Sequence, residues 1–279
     1  MNKKGVIELH IAVLLFGLAG LFGKFLSLSP FIIVSGRTFF ASITLILIVI
    51  FTRKNIFRGL FNDYKVLLGG VILAIHWVSF FQAIKISTVA IGLLSFSTFP
   101  VFVTFLEPLF FKEKIRKIDI YTSIIVLLGL ILVIPDFDLN NNVTQGVIYG
   151  VISGLTFAFL SLLSRSYVRN KDPINLAFSQ NFIAFLLLIP FHIVEFSPIT
   201  VREVYLLIVL GVFCTAIAHL LYIRSLRSVK AQFASIVASL EPVYGVVFAL
   251  IFLNEIPNIR TVAGGLIILI AIIISRRNA

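Results

Sequence analysis

The chain is predicted to be an all-α integral membrane protein with ten transmembrane helices arranged as two inverted five-helix repeats. Three observations predict this. Of 279 residues, 59% are hydrophobic and only 13% are charged, with a mean hydropathy of +1.11, values that belong to polytopic membrane proteins and not to soluble domains. The basic residues collect in alternate connecting segments. The two halves of the chain also match each other at a nearly constant offset.

The first apolar run starts like a signal peptide, Met1–Lys4 followed by Val6 onward. It then continues through Gly17, Gly20 and Gly23 to Lys24 with no small-x-small cleavage site, so it reads as an uncleaved first helix. Further runs at 30–52, 64–84, 88–111 and 118–135 complete a first unit. Each is long enough, at about 1.5 Å per residue, to cross most or all of a hydrocarbon core of about 30 Å. Runs at 146–168, 173–194, 202–223, 231–253 and 259–275 make a second unit. The expected division is a repeat at 1–136, a polar and basic-free linker at 137–145, and a repeat at 146–277.

With the N-terminus inside, the cytoplasmic segments hold eighteen Lys and Arg, including Arg53, Lys54 and Arg58 and the group Lys112, Lys114, Arg116 and Lys117. The opposite side holds four: Lys24, Lys85, Arg202 and Arg260. Excess Lys and Arg are retained on the cytoplasmic side, so both termini are expected there, in a bacterial plasma membrane. The net charge of +11 is scattered between spans and forms no basic face, so no nucleic-acid partner is expected.

An offset of 142 residues relates Lys85 to Arg227, Ser97 to Ser239, Pro100 to Pro242, Val101 to Val243 and Glu113 to Glu255. With a slip of one residue the match extends to Pro30 with Pro173, Arg37 with Gln180, Gly5 with Gly146 and Phe16 with Phe157. Five spans per unit is an odd number, so the second copy enters the membrane upside down. Inverted repeats with interrupted helices at matching positions point to a solute site near the midplane.

Glu241 lies eleven residues from Lys230, about 16 Å deep by helical rise. An ionised carboxylate there costs about 2.5 kcal/mol or more, so it faces either a packed bundle interior or a watery cavity. Pro242 beside it is expected to kink the helix and free backbone acceptors. Pro100 is its counterpart.

With these residues in view the chain resembles the drug/metabolite transporter superfamily, in its EamA-like family of ten-helix proteins. The most specific stretch is ASLEPVYGVVFALIFLNEIP at 238–257, a small-x-x-Glu-Pro segment with Glu255 fourteen residues later. FSTFPVFVTFLEPLFFKEKI at 96–115 keeps Pro100 and Glu113 but has Phe99 where the Glu would stand. Glu107-Pro108 repeats the dipeptide nearer the cytoplasmic end, where snorkelling or helix termination accounts for it. The resemblance implies export or exchange of small metabolites through a cavity lined mainly by helices one, three, four, six, eight and nine.

The cavity candidates are His76, Trp77, Phe80, Ser97, Ser239 and Glu241. His76 falls at the depth of Glu241 and is either its partner in a proton relay or a donor to a backbone carbonyl. Trp77, Phe80 and Phe81 form an aromatic wall or ordinary packing. The serines bind solute or bridge helices. Arg37, seven residues in from the outer end, and its equivalent Gln180 are candidates for an outer gate or an anion contact. His219 and Tyr222, within about 8 Å of the cytoplasmic end by rise, suit a gate.

The expected function is a secondary transporter of amino-acid-like or amphipathic organic solutes, in the export direction, working by alternating access with optional proton coupling at Glu241. An intramembrane enzyme and an uncoupled facilitator or channel are the alternatives. Against an enzyme, all five aspartates lie outside the span cores and there is no HExxH or GxSxG motif. No cofactor or metal is expected, and the lone Cys214 reads as core packing.

Overall fold

The computed structural model describes residues 3–52, 63–112, 115, 117–133, 138–169, 172–194 and 198–277. Glu113 and the basic residues Arg53, Lys54, Arg58, Lys114 and Arg116 lie outside the described residues, as does 134–137. Every regular element among the described residues is helical. Eight helices are long and apolar enough to cross a bilayer: Lys3–Phe25, Pro30–Thr52, Tyr64–Ile86, Val89–Phe111, Asn142–Val168, Pro173–Phe191, Val201–Ser225 and Phe233–Leu253. The shorter apolar helices Ile120–Val133 and Ile259–Ala271 bring the set to ten, numbered here span one to span ten in chain order.

The ends follow local chemistry. Asp63 accepts from the Lys65 amide at 3.0 Å to start span three, and Thr200 and Glu203 form a reciprocal capping box that starts span eight. Span six begins at Asn142, four residues before the expected Gly146, because the Asn141 side chain accepts from the Val143 amide at 2.8 Å.

Spans four and nine are each two helices, Val89–Phe96 with Phe99–Phe111 and Ala231–Ala238 with Glu241–Leu253. The expectation was a kink at proline. Instead the helix stops before Pro100 and Pro242 and restarts with each in the first turn, where proline has no helical amide to lose. Both spans also end alike, on left-handed residues 142 apart: Lys112 with φ 56° and Asn254 with φ 52°.

Three of the repeat-equivalent pairs, spans two and seven, four and nine, and five and ten, pack on each other head to tail. The first half of span four packs on the second half of span nine, and its second half on the first half of span nine. Between spans two and seven, Phe31 stacks on Phe191 at 4.3 Å and Phe39 meets Phe185 at 5.2 Å. In spans five and ten, a Cβ at Gly129 would touch Ile268 and the Gly264 carbonyl, while one at Gly264 would touch Val133. Partner numbers fall as chain numbers rise, so the second unit is inverted. Leu128, Ile131, Ile270 and Ile273 point outward, an apolar rim that suits hydrocarbon and not water.

The symmetry reaches the two faces. Lys85, at the end of span three, donates from Nζ to the Leu26 carbonyl at 2.7 Å. At the opposite face Arg227, just past span eight, donates from Nε to the Val168 carbonyl at 3.1 Å. Both donors and both acceptors are 142 residues apart, so an equivalent cation-to-carbonyl link stands at each face, joined on the Lys85 side by Lys24, whose Nζ donates to the Ser87 carbonyl at 2.7 Å.

Candidate functional site

The breaks in spans four and nine meet at the centre of the bundle, each seated on a glycine of the other repeat. A Cβ at Gly154 in span six would come within 2.9 Å of the Phe96 carbonyl, and one at Gly17 in span one within 3.0 Å of the Glu241 carbonyl. Only a residue without a side chain lets the interrupted backbone approach so closely. Glu255 reaches from the end of span nine to accept from the Ala90 amide at 3.2 Å, capping span four where Thr88 caps it too.

Beside these breaks lies a cavity lined by Phe16, Ala19, Arg37, Leu73, His76, Trp77, Phe80, Phe96, Phe157, His219 and Glu241. Its free space is about 20 Å³, room for about one water. All the helices implied by the family resemblance contribute, and span two adds Arg37.

Arg37 and Glu241 are the cavity's charged groups, 1% and 4% exposed. The guanidinium lies over the Trp77 ring at 3.9 Å. Its Nε donates to Thr215 Oγ1 at 2.8 Å and its Nη2 to the Cys214 carbonyl at 3.2 Å. Among the described residues no ion pair joins it to Glu241. A buried guanidinium and a buried carboxyl group thus line one small space without an ion pair between them.

His76 lies within 3.0 Å of the Ser153 carbonyl and 2.8 Å of its hydroxyl through Nδ1. A carbonyl only accepts, so the contact puts the ring proton on Nδ1 and leaves Nε2 toward the cavity. No hydrogen bond among the described residues links His76 to Glu241; of the two expected alternatives, the contact to a backbone carbonyl is the one present here. Of the expected aromatic trio, Trp77 and Phe80 line the cavity and Phe81 does not; Phe157 packs on His76 at 4.8 Å and on Tyr222 at 5.2 Å, and Trp77 meets His219 edge-on at 5.7 Å.

Several candidates sit elsewhere than expected. Ser97 and Ser239 donate within their own helices, to the Leu93 and Ser235 carbonyls, each at 2.9 Å, and do not line the cavity. Gln180 points to Ser164 and Gly69, away from it. Tyr222 bonds Ser161 at 2.8 Å, below the cavity wall. Arg37 and His219 are deeper than helical rise implied, because Leu26, Leu28 and Pro30 at one end and Ser225, Leu226 and Val229 at the other are themselves buried. The span ends are covered by protein, so counting from them underestimates depth. Glu107 does not snorkel: it forms a buried ion pair with Arg165. Thr215 carried no signal in the sequence, whereas Phe157 was visible as the repeat equivalent of Phe16.

The model of the EamA-like transporter family matches residues 3–134 and 144–277. The chain is 28% identical to an uncharacterised transporter of Bacillus subtilis, over 94% of this chain and 86% of that one. It is 26% identical to a pseudopaline exporter of Pseudomonas aeruginosa, over 74% and 72%. A third relative, an S-adenosylmethionine uptake transporter of Rickettsia bellii, is 25% identical over 84% and 79%. A solved crystal structure superposes on the chain with a TM-score of 0.74 at 15% identity, covering 100% of this chain and 99% of that one, which shows a shared fold.

Proposed function

We propose, on the premise that this chain belongs to the EamA-like transporter family, that it is a secondary transporter of amino-acid-like or amphipathic organic solutes. The family and the relatives named above are transporters, which supports a membrane-embedded protein acting on small molecules. The single observation that carries the finer reading is the unpaired facing of Arg37 and Glu241 across a cavity walled by Trp77, Phe80, Phe96 and Phe157. A solute with a carboxylate, an ammonium and an apolar body replaces the water that each buried charge has lost.

In this reading residues 1–136 and 146–277 are the two moving units, both termini are cytoplasmic and the membrane is the bacterial plasma membrane. The cavity as it stands is too small for an organic solute, so access requires one face to open. The Lys85–Leu26 and Arg227–Val168 links are the two gates, released in turn. Glu241 is the proton-coupling group: it is the carboxylate of the cavity, and Arg37, His76 and His219 are the other titratable or charged groups facing it. Export is the direction taken by the pseudopaline-exporting relative, and gradients set it in any secondary carrier.

The test is solute counterflow in proteoliposomes, screened over amino acids, amines, sugars and nucleosides, with and without an imposed pH gradient. Saturable counterflow of a charged organic solute is expected. Absence of counterflow for every solute with a folded preparation overturns the reading, and pH-driven accumulation that survives Glu241→Gln overturns the coupling role.

A further inference from the structure

Span eight departs from α-helical geometry at Val212–Ile217, one turn of π-helix between Val201–Gly211 and Ala218–Ser225. The equivalent stretch of span three, inside Tyr64–Ile86, is regular helix, so the turn is not a property of the repeat. A π-turn shifts one hydrogen-bond register and strands a carbonyl, and such turns recur at functional sites. Here the Ala218 amide reaches back to the Phe213 carbonyl in place of Cys214. The Cys214 carbonyl accepts from Arg37 Nη2. Thr215 Oγ1 spends its proton on the Leu210 carbonyl, five residues back, at 2.8 Å, and so meets Arg37 Nε as an acceptor. Gly211 completes the arrangement, since a Cβ there would stand 2.9 Å from the Arg37 carbonyl and 2.6 Å from Phe40 Cβ.

We infer that the π-turn of span eight is a clamp that holds Arg37 open as a seat for the anionic group of the solute, with Thr215 as its positioning residue. Two of the five guanidinium N–H donors are tied to span eight and one face is covered by Trp77. The Nη1 side remains as a fork of the kind that recognises carboxylates. Without the clamp, a flexible arginine side chain in the same cavity as Glu241 is drawn toward it by unscreened attraction, and the seat closes. The clamp therefore selects solutes bearing a carboxylate over the same solutes without one. This rests on reading the cavity as the solute site.

The experiment compares each amino acid with its decarboxylated amine, for example leucine with isopentylamine and tryptophan with tryptamine, by counterflow in proteoliposomes. Thr215→Val keeps the shape and removes the acceptor, while Thr215→Ser keeps it. Hydrogen bonds to charged groups are worth enough that Thr215→Val is expected to raise the half-saturation concentration for the amino acid about tenfold, leave that for the amine within about twofold, and be rescued by Thr215→Ser. Thr215→Ala, checked for a monodisperse, cooperatively melting sample, stands in if the valine variant does not fold. An equal change for acid and amine, or no rescue by serine, overturns the clamp. Arg37→Gln separates the two readings. If it erases the preference for the acid while Thr215→Val does not, the cavity assignment stands and the clamp falls. If the wild type shows no preference to lose, the seat itself falls.

Discussion

At the break in span four, Phe99 occupies the first turn of the restarted helix; at the break in span nine, Glu241 does. The backbones are near copies: both helices stop at a serine whose hydroxyl turns back on its own chain, both restart with proline, and both rest on a glycine of the other repeat. The chemistry is opposite. Phe99 is fully buried, stacked on Phe96 at 5.2 Å and edge-on to Phe157 at 5.1 Å, while Glu241 lines the cavity opposite Arg37. One interrupted helix has become a wall and the other carries the charge. The difference teaches that the break sets where a side chain is delivered and the residue there decides what the break does.

The comparison breaks most decisively at Glu241. Glu241→Gln is expected to abolish pH-driven solute accumulation, on the order of 100-fold or more as for loss of a proton-transfer group, whereas Phe99→Leu stays within about threefold; transport in proteoliposomes measures both. Stability should run the other way. Phe99→Ala is expected to lose about 3–5 kcal/mol, because it empties a packed aromatic site, and Glu241→Gln to melt no lower than wild type, because it removes a buried charge; thermal melts in detergent decide.

Gly17→Ala and Gly154→Ala press on the two breaks through backbone carbonyls, and each should cost about 1–3 kcal/mol of overpacking in the same melts. A markedly smaller loss at one glycine would show that its break yields more easily and would identify the softer half. Ser97→Ala and Ser239→Ala should do least, about 1 kcal/mol or less with transport within about twofold, since both hydroxyls donate inside their own helices. A large effect at Ser239 alone would mean that its hydroxyl turns toward the solute when the cavity opens.

The same asymmetry appears where span two meets span eight. Arg37 and Gln180 are repeat equivalents, but Arg37 lines the cavity and bonds to a π-turn that span three lacks, and Gln180 packs against Gly69. Positions that keep the repeat were readable from the chain: Pro100 with Pro242, Ser97 with Ser239, Lys85 with Arg227. Positions that break it were readable only as differences in letters, such as Phe99 against Glu241, with no indication of which neighbours they meet. Counting residues from the span ends placed Glu241 and His76 correctly in one cavity and placed Arg37 and His219 too near the surface, because the ends are roofed by buried residues of adjoining segments.

The sequence by itself determined ten apolar helices, their inverted pairing and the two interruptions, because transfer into lipid and the missing amide of proline act residue by residue and depend on little beyond the local chain. Only the tertiary structure decided that Arg37 reaches Thr215 and the Cys214 carbonyl, that it forms no ion pair with Glu241, and that each face carries a cation on a carbonyl. Those outcomes depend on packing between segments as far apart as 178 residues, and the energy of such a contact exists only once both partners are held in place.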